Sequence, residues 1–523
     1  MENKPEGMRL AEFLASLSLA IDLGVDMPME WVLRTCLLSM HLGKAAGLDV
    51  TRLQRLYYQA LLMHVGCTST ASRTADSFGT DMGLGEGFQI DMGNPRDAMG
   101  FMFRNTGQGR PWPERAAMLM RLFLGGQAMM LENHLSHCEI AERLAERLGL
   151  EPELAAGFRQ INERWDGKGT PARLRGNAIA LEVRVLQMAQ DAATLHGIGG
   201  AAAALDAIGA RAGKGLDPDL AVLFKRDAET LLAPLAVESV WDAVLAAEPG
   251  IRKRIAEADM DRALLAAADY ADFKTPYTLG HSRAVAATVA AAASRMGLGE
   301  QESTSARRAA LLMDLGRVGV SASIWKKPGT LNDGEWEKVR LHPYYTERIL
   351  ARSPCLAALG RLAGLHHERM DGSGYHHSAA AAHLPQAARL LAAADAYQAM
   401  QSERSHRPAL APAEAATELR RMATAGKLDA VAVEAVLGAS GVPAKPRSRL
   451  SGASAELSPR EIEVLRHLAR GRSNRQTGES LFISGKTVGH HVQHIYAKIG
   501  VSTRAAATLF AMENGLLGSG PNL

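Results

Sequence analysis

His366-His367-Glu368-Arg369-Met370-Asp371-Gly372-Ser373-Gly374-Tyr375 is the stretch on which the reading of this chain turns. Adjacent helix positions point about 100° apart, so two neighbouring imidazoles do not describe one packed face, and Asp-Gly-Ser-Gly behind them marks a turn. Outward from it stand His281 in Leu279-Gly280-His281-Ser282, Asp314 in Leu311-Leu312-Met313-Asp314-Leu315-Gly316-Arg317, His342 before Pro343, and Asp395 in Ala393-Ala394-Asp395-Ala396-Tyr397. A histidine pair alone is ordinarily a surface or core feature. Imidazoles and carboxylates on successive amphipathic helices are instead how a helical bundle assembles a metal centre from facing side chains.

On these residues, together with Trp325-Lys326-Lys327-Pro328-Gly329-Thr330-Leu331 and Ser402-Glu403-Arg404, the chain resembles the HD-GYP phosphodiesterases from about Asp269 to Gly438. That branch of the HD superfamily hydrolyses cyclic dinucleotides such as cyclic di-GMP at a centre of two or three metal ions. The resemblance implies metal ligands at His281, Asp314, His342, His366, His367 and Asp395, with Asp314 and Arg317 as the catalytic candidates. Three positions depart from the pattern. The naming His-Asp doublet reads Met313-Asp314, the lysine three residues after the Asp is Arg317, and the GYP triplet reads Gly374-Tyr375-His376. A thioether is a poor partner for a hard divalent ion among oxygen ligands. One divalent ion per chain, on Asp314, His342, His366 and His367, is therefore expected, while the position served by His281 and Asp395 lacks its third ligand.

A length of 523 residues suits about three domains, and 47% hydrophobic with only 5% aromatic residues, in long Ala/Leu stretches, points to an all-α fold. A net charge of +3 and a pI near 8.6 permit a nucleic-acid partner without requiring one. Cys36, Cys67, Cys138 and Cys355 form no CxxC, which reads as reduced thiols in a cytoplasm. The N-terminal apolar run carries Glu12 and Asp22, unlike a signal peptide, and no stretch has the length and apolarity of a membrane span.

The first third repeats the second. Residues 31 to 49 match His281 to Gly299 in length and closing pattern, and Leu61-Leu62-Met63-His64-Val65-Gly66 parallels Leu311-Leu312-Met313-Asp314-Leu315-Gly316, each 33 residues on. His137 precedes Glu163-Arg164-Trp165-Asp166-Gly167 by 26 residues, just as His342 precedes Glu368-Arg369-Met370-Asp371-Gly372. This is an internal duplication. At the ligand positions the first copy has Trp31, His64, Ile161 and Asn162, keeping only His137 and Asp191, so residues 1–255 are expected to bind no transition metal and to act as a dimerising or ligand-sensing scaffold. Its extra stretch, including Gly79 to Gly109, is Gly- and Met-rich with Phe88, Phe101, Phe103 and Trp112, and reads as a long loop for adaptable contacts or simple mobility. Leu216-Asp217-Pro218 signals a capped helix start.

The second module spans 256–440, and a Pro/Ser/Gly-rich linker with basic residues fills 441–456. In 457–523, Ser458-Pro459-Arg460-Glu461 forms a capping box, a short helix follows Gly471-Arg472-Ser473-Asn474, and Ser484-Gly485-Lys486-Thr487 caps a third helix. From Leu457 to Leu517 the chain resembles the LuxR-type four-helix helix-turn-helix domain, which binds double-stranded DNA, here with Phe482 in place of the usual turn glycine and Gly478 in place of a small helix-favouring Ala. Val488, Val492, Ile495 and Ile499 form one apolar stripe. The opposite face carries Gly489, His490 and Gln493, with His490 and Gln493 as base readers. Lys486, Thr487, His491, Lys498 and Arg504 are the phosphate contacts.

Two readings stay open at this point. One is a DNA-binding transcription regulator, cytoplasmic and homodimeric with no membrane partner, whose impaired HD-GYP-like region senses a small molecule or cyclic dinucleotide. The other is a working metal-dependent phosphodiesterase with an attached DNA-binding domain.

Overall fold

The computed structural model describes residues 7–440 and 457–517, so the linker expected at 441–456 lies outside the described residues. The chain falls into two compact units, Met1–Ala263 and Leu264–Leu523. Among the described residues the one sheet is the antiparallel pair Met8–Arg9 with Arg254–Ile255, which ties the start of the first unit to its end. Everything else regular is helical, and the fold is all-α.

Each module is built on the same three-helix frame. In the first, Leu10–Gly24, Trp31–Ala45 and Val50–Leu62 pack around a core that includes Phe13, Leu14, Leu38, Tyr57 and Leu61. In the second, Met260–Asp272, His281–Ala293 and Glu300–Leu312 correspond. The duplication reaches single hydrogen bonds. Asp22 accepts from Val32 N at 3.0 Å and Asp272 from Ser282 N at 2.9 Å. Glu163 accepts from Ala172 N and Leu174 N at 2.7 and 2.9 Å, and Glu368 from His377 N and Ala379 N at the same two distances. These carboxylates satisfy backbone donors that no helix or strand partner reaches, which gives Glu368 after His366-His367, and its match Glu163 after Ile161-Asn162, the same structural role.

The caps read from sequence are present. Asp217 accepts from Asp219 N and Leu220 N at the start of Pro218–Leu232, and Ser458 with Glu461 closes the capping box of Pro459–Ala469. The stretch from Gly79 to Gly109 is no structureless loop, however. It holds the 3-10 turn Gly85–Phe88 and the helix Pro95–Asn105, started by Asn94, whose side chain accepts from Arg96 N at 3.1 Å, with Pro95 in the first turn. Glycine density hid that cap and proline pair. Phe101 is buried beside Phe78 at 6.0 Å, whereas Phe103 and Trp112 stay exposed. The long helix Trp112–Arg147 then carries His137 back to the frame.

Two glycines let the frame close on its histidines. A Cβ on Gly66 would lie 2.3 Å from His137 O, and one on Gly316 would lie 2.2 Å from His342 O. Gly316→Ala should therefore force the His342 helix outward and cost about 1–3 kcal/mol, the usual range for overpacking, read as a lowered urea midpoint. An unchanged midpoint would mean that the approach at Gly316 does not limit packing.

Candidate metal centre and nucleic-acid interface

The second module brings all six predicted ligands together. His342 starts the helix His342–Leu350, and its Nδ1 donates to Val339 O at 2.6 Å; His366 Nδ1 donates to Ala363 O at 2.7 Å. A carbonyl only accepts, so both rings are held with the proton on Nδ1 and the lone pair on Nε2. Those two Nε2 atoms stand 3.2 Å apart, and Asp314 Oδ1 lies 3.5 Å from each. Two lone pairs and a carboxylate converging in a buried space repel unless a cation sits among them. His367 completes the group, its ligand atom within 4.8 Å of those of His342 and His366. Both oxygens of Asp314 are buried without a hydrogen-bond partner. By these observations the residues fit a divalent cation, and Asp314, His342, His366 and His367 are the ones that would hold it.

The other oxygen of Asp314 faces a different company. His281 Nε2 is 3.9 Å from Asp314 Oδ2 and 2.9 Å from Asp395 Oδ1, while His367 Nδ1 is 3.6 Å from Asp395 Oδ2. Met313 is fully buried and contributes no ligand nitrogen. Arg317 Nη1 stands 2.9 Å from Asp314 Oδ2, a close charge pairing that is not aligned as a hydrogen bond, with its guanidinium 4.9 Å over the Trp325 ring. Trp325, quoted above only as part of a motif, thus positions the arginine.

Electrostatics follow from this burial. Burial works to raise Asp314, but the Arg317 charge beside it works the other way, and the carboxyl is held well below the usual range. Asp395 is likewise held low, burial being overcome by the hydrogen bond to His281 and by His367. Burial pushes His342 down to about 4, and His281 and His367 are also lowered chiefly by burial, which favours neutral, ligating rings. Burial and then Arg317 push Arg404 down to about 10, still cationic at neutral pH, beside the charges of Asp395 and Asp314. His376, at the departure from GYP, and His377 both pair with Glu347, at 3.3 and 2.8 Å. They form a partly exposed triad that sequence reading did not single out.

At the matched positions of the first module the inherited centre is filled rather than poised. The Trp31 ring stacks on His64 at 5.0 Å and 18°, Phe88 packs on both rings, and Trp31 Nε1 donates to Thr194 Oγ1 at 2.9 Å. Asp191 is paired with Arg211 at 2.6 Å. Phe88, read as a surface aromatic, belongs to this filling.

In the C-terminal domain the helices Pro459–Ala469, Asn474–Leu481, Gly485–Ile499 and Arg504–Glu513 surround Val464, Leu465, Leu468, Val488 and Ile495. Phe482 takes the left-handed turn conformation (φ 55°) and is almost wholly exposed. Lys486, Thr487, His490 and Gln493 are exposed on the third helix, with Gly489 and His491 half-buried beside them. Lys498 and Arg504 are engaged within the domain. Lys498 Nζ pairs with buried Glu461 at 2.9 Å, and Arg504 Nη1 donates to Arg472 O at 2.7 Å.

With this geometry in place, comparison with known proteins is informative. A family model for the HD domain matches residues 130–220 and 266–431, and one for bacterial regulatory proteins of the luxR family matches 455–511. The chain is 30% identical over 405 residues to a 3'3'-cGAMP-specific phosphodiesterase 3 of Vibrio cholerae, covering 77% of this chain and 88% of that protein. It is 38% identical over 117 residues to a cyclic di-GMP phosphodiesterase of Thermotoga maritima, covering 22% of this chain and 32% of the relative. Residues at the other end are 42% identical over 75 positions to the transcriptional regulatory protein LiaR of Bacillus subtilis, 14% of this chain and 36% of that one. A crystal structure of a cyclic GMP-AMP specific phosphodiesterase of V. cholerae superposes with a TM-score of 0.58 at 26% identity, over 84% of this chain and 99% of that chain.

A pH test addresses the buried rings. The His342 value of about 4 lies below the about 6.5 of an unfolded histidine. Between those values the unfolded chain binds a proton that the folded one refuses, so this group's contribution is present above about 6.5 and falls as pH drops toward 4. In metal-stripped protein, His342→Gln should flatten the dependence of the urea midpoint on pH across that window. Parallel curves for variant and wild type would show that the ring titrates normally.

Proposed function

The chain belongs to the HD-GYP branch of the HD-domain family and ends in a luxR-family regulatory domain, and from that premise we propose a cytoplasmic DNA-binding transcription regulator. Its second HD module, 256–440, binds a cyclic dinucleotide at a single divalent ion, and binding rather than turnover is its task. The observation that carries this reading is the pairing of Arg317 with Asp314 Oδ2 where a second ion would sit, next to buried Met313 where the family keeps a ligand histidine. One bound ion supplies Lewis-acid attraction for phosphate, whereas an in-line displacement is served by two metals that hold both the attacking and leaving oxygens. Arg317 is fixed and cannot take water as a nucleophile; with Arg404 it adds positive charge for a phosphodiester. The first module, 1–255, serves as a scaffold for ligand sensing or self-association. The helix-turn-helix domain binds DNA as a homodimer on an inverted repeat, since one copy offers few base contacts.

A second reading, an active phosphodiesterase with a DNA anchor, has its own support. His281 and Asp395 are retained at 2.9 Å, and the match spans 88% of a phosphodiesterase's length. Metal content and hydrolysis separate the two. Wild type should hold one ion in this module, lost in His366→Ala, while Met313→His with Arg317→Lys should gain about one further equivalent per chain and raise cyclic GMP-AMP hydrolysis at least tenfold. Turnover by wild type at the rate of an intact relative would replace the regulator reading by the enzyme one.

DNA recognition has a separate test. Gln493→Ala and His490→Ala should relax base preference by about 1–3 kcal/mol, the range of a specific base contact. Lys486→Ala should weaken every sequence alike and lower the salt slope by about 1. Lys498→Ala should act mainly through stability, because its partner is Glu461. Binding assays across a salt series decide, and a fully salt-independent wild type would refute the phosphate contacts.

A further inference from the structure

We propose that the first unit holds a metal site of its own, in which His64, Cys67 and His137 bind zinc or a similar borderline first-row ion. Matching of the inherited ligand positions expects no transition metal in residues 1–255, because Cys67 lies outside that set. Its counterpart in the second module is Arg317, three residues after Asp314 as Cys67 is three after His64. The same turn thus carries a carboxylate and a guanidinium in one copy and an imidazole and a thiol in the other. Hard oxygen chemistry has been exchanged for the nitrogen and sulfur donors that zinc prefers.

The geometry is specific. One ligand atom from each of the three side chains lies within 4.8 Å of the other two, and Cys67 Sγ is 3.9 Å from His64 Nδ1. The chain leaves the helix Val50–Leu62 through a tight turn in which Cys67 N donates to His64 O at 3.0 Å, presenting both side chains together. Gly66 lets that turn press on the long helix at His137. His64 Nε2 and both ring nitrogens of His137 are buried without a partner at hydrogen-bond geometry, with Gln190 near His64 and the Met63 backbone near His137. Both side chains are more than nine-tenths buried, so an unpartnered lone pair here is a donor aimed at a ligand. Burial, with His137 adding to it, holds His64 down to about 3, and burial with His134 holds His137 down to about 4. Both rings are therefore neutral and ligating at neutral pH.

Three protein ligands leave a fourth position open, as in zinc sites that accept water or an exogenous ligand. Trp31 and Phe88 wall His64 on its apolar side, and Cys67 is the half-buried member. The site joins the 64–67 turn to the helix of the inserted stretch, which gives that insertion a part in holding the first module together.

The test uses the full-length chain, stripped with chelator and reloaded with Zn²⁺ or Co²⁺. Wild type should bind about one equivalent more than its second module accounts for, and with Co²⁺ should show a thiolate-to-cobalt charge-transfer band in the near ultraviolet. That band should vanish in Cys67→Ser and persist in His366→Ala, whose lost ion has no thiolate ligand. Should Cys67→Ser fail to fold by circular dichroism, Zn²⁺ protection of Cys67 from alkylation in wild type, mapped by peptide mass, serves instead. Absence of the band in wild type, its persistence in folded Cys67→Ser, or alkylation of Cys67 at the same rate with and without Zn²⁺ overturns the proposal. None of these outcomes bears on the metal bound by the second module.

Discussion

Two imidazole lone pairs held 3.2 Å apart, on His342 and His366, are the constraint around which the second module is arranged. Each ring is pinned by its Nδ1 to a carbonyl of its own turn, so neither can rotate its lone pair away without stranding a buried carbonyl. Asp314 is brought against them by the turn after Glu300–Leu312, and Gly316 permits that turn to touch the His342 helix. Glu368 fixes the loop behind the pair through two backbone donors. Asp314 Oδ1 thus faces two lone pairs with no protein cation on that side, an arrangement that a divalent ion among these groups would compensate.

Much of this was legible in the sequence because it is local or strictly spaced. Caps at Asp217, Ser458, Ser473 and Ser484 announce helix starts within four residues. The duplication is visible from offsets, and the six candidate ligands from their residue types. What escaped depends on through-space partners. Arg317 is legible in the sequence as a departure from the pattern's lysine, but not that its planar guanidinium lies over Trp325 and reaches Asp314 Oδ2. Lys498, expected as a phosphate contact, also pairs with Glu461 within the domain, a partner that sequence does not reveal. Phe88 reads as a loop aromatic and proves to pack on Trp31. Cys67 attracts no notice in a list of scattered thiols until the helix Trp112–Arg147 delivers His137 beside it.

The two copies differ in what stands at the matched positions. Removing an ion from a buried cluster leaves lone pairs and carboxylates without compensation, so ligands cannot simply be deleted one at a time. In the first copy the repair covers some of the old positions: Trp31 and Phe88 occupy space with apolar rings, Ile161 replaces a ligand, and Arg211 pairs with Asp191, whereas His64 and His137 keep unpartnered ring nitrogens. In the second copy it covers one half only. Arg317 answers Asp314 Oδ2, while Asp314 Oδ1 still faces His342 and His366 with no protein cation between them.

That asymmetry bears on function more directly than any missing ligand. A lost histidine alone would leave a damaged enzyme, whose remaining carboxylates would weaken both structure and phosphate binding by repulsion. The lysine that the family pattern keeps at this position carries the same charge, so what Arg317 changes is geometry: its planar guanidinium lies against Asp314 Oδ2. Arg317 contributes a single positive charge, half that of a divalent ion, and lacks a metal's chemistry: it has no coordination position in which water can be activated. Under the proposed reading, one fixed guanidinium beside one exchangeable cation would suit a site that holds a phosphodiester rather than one that cleaves it.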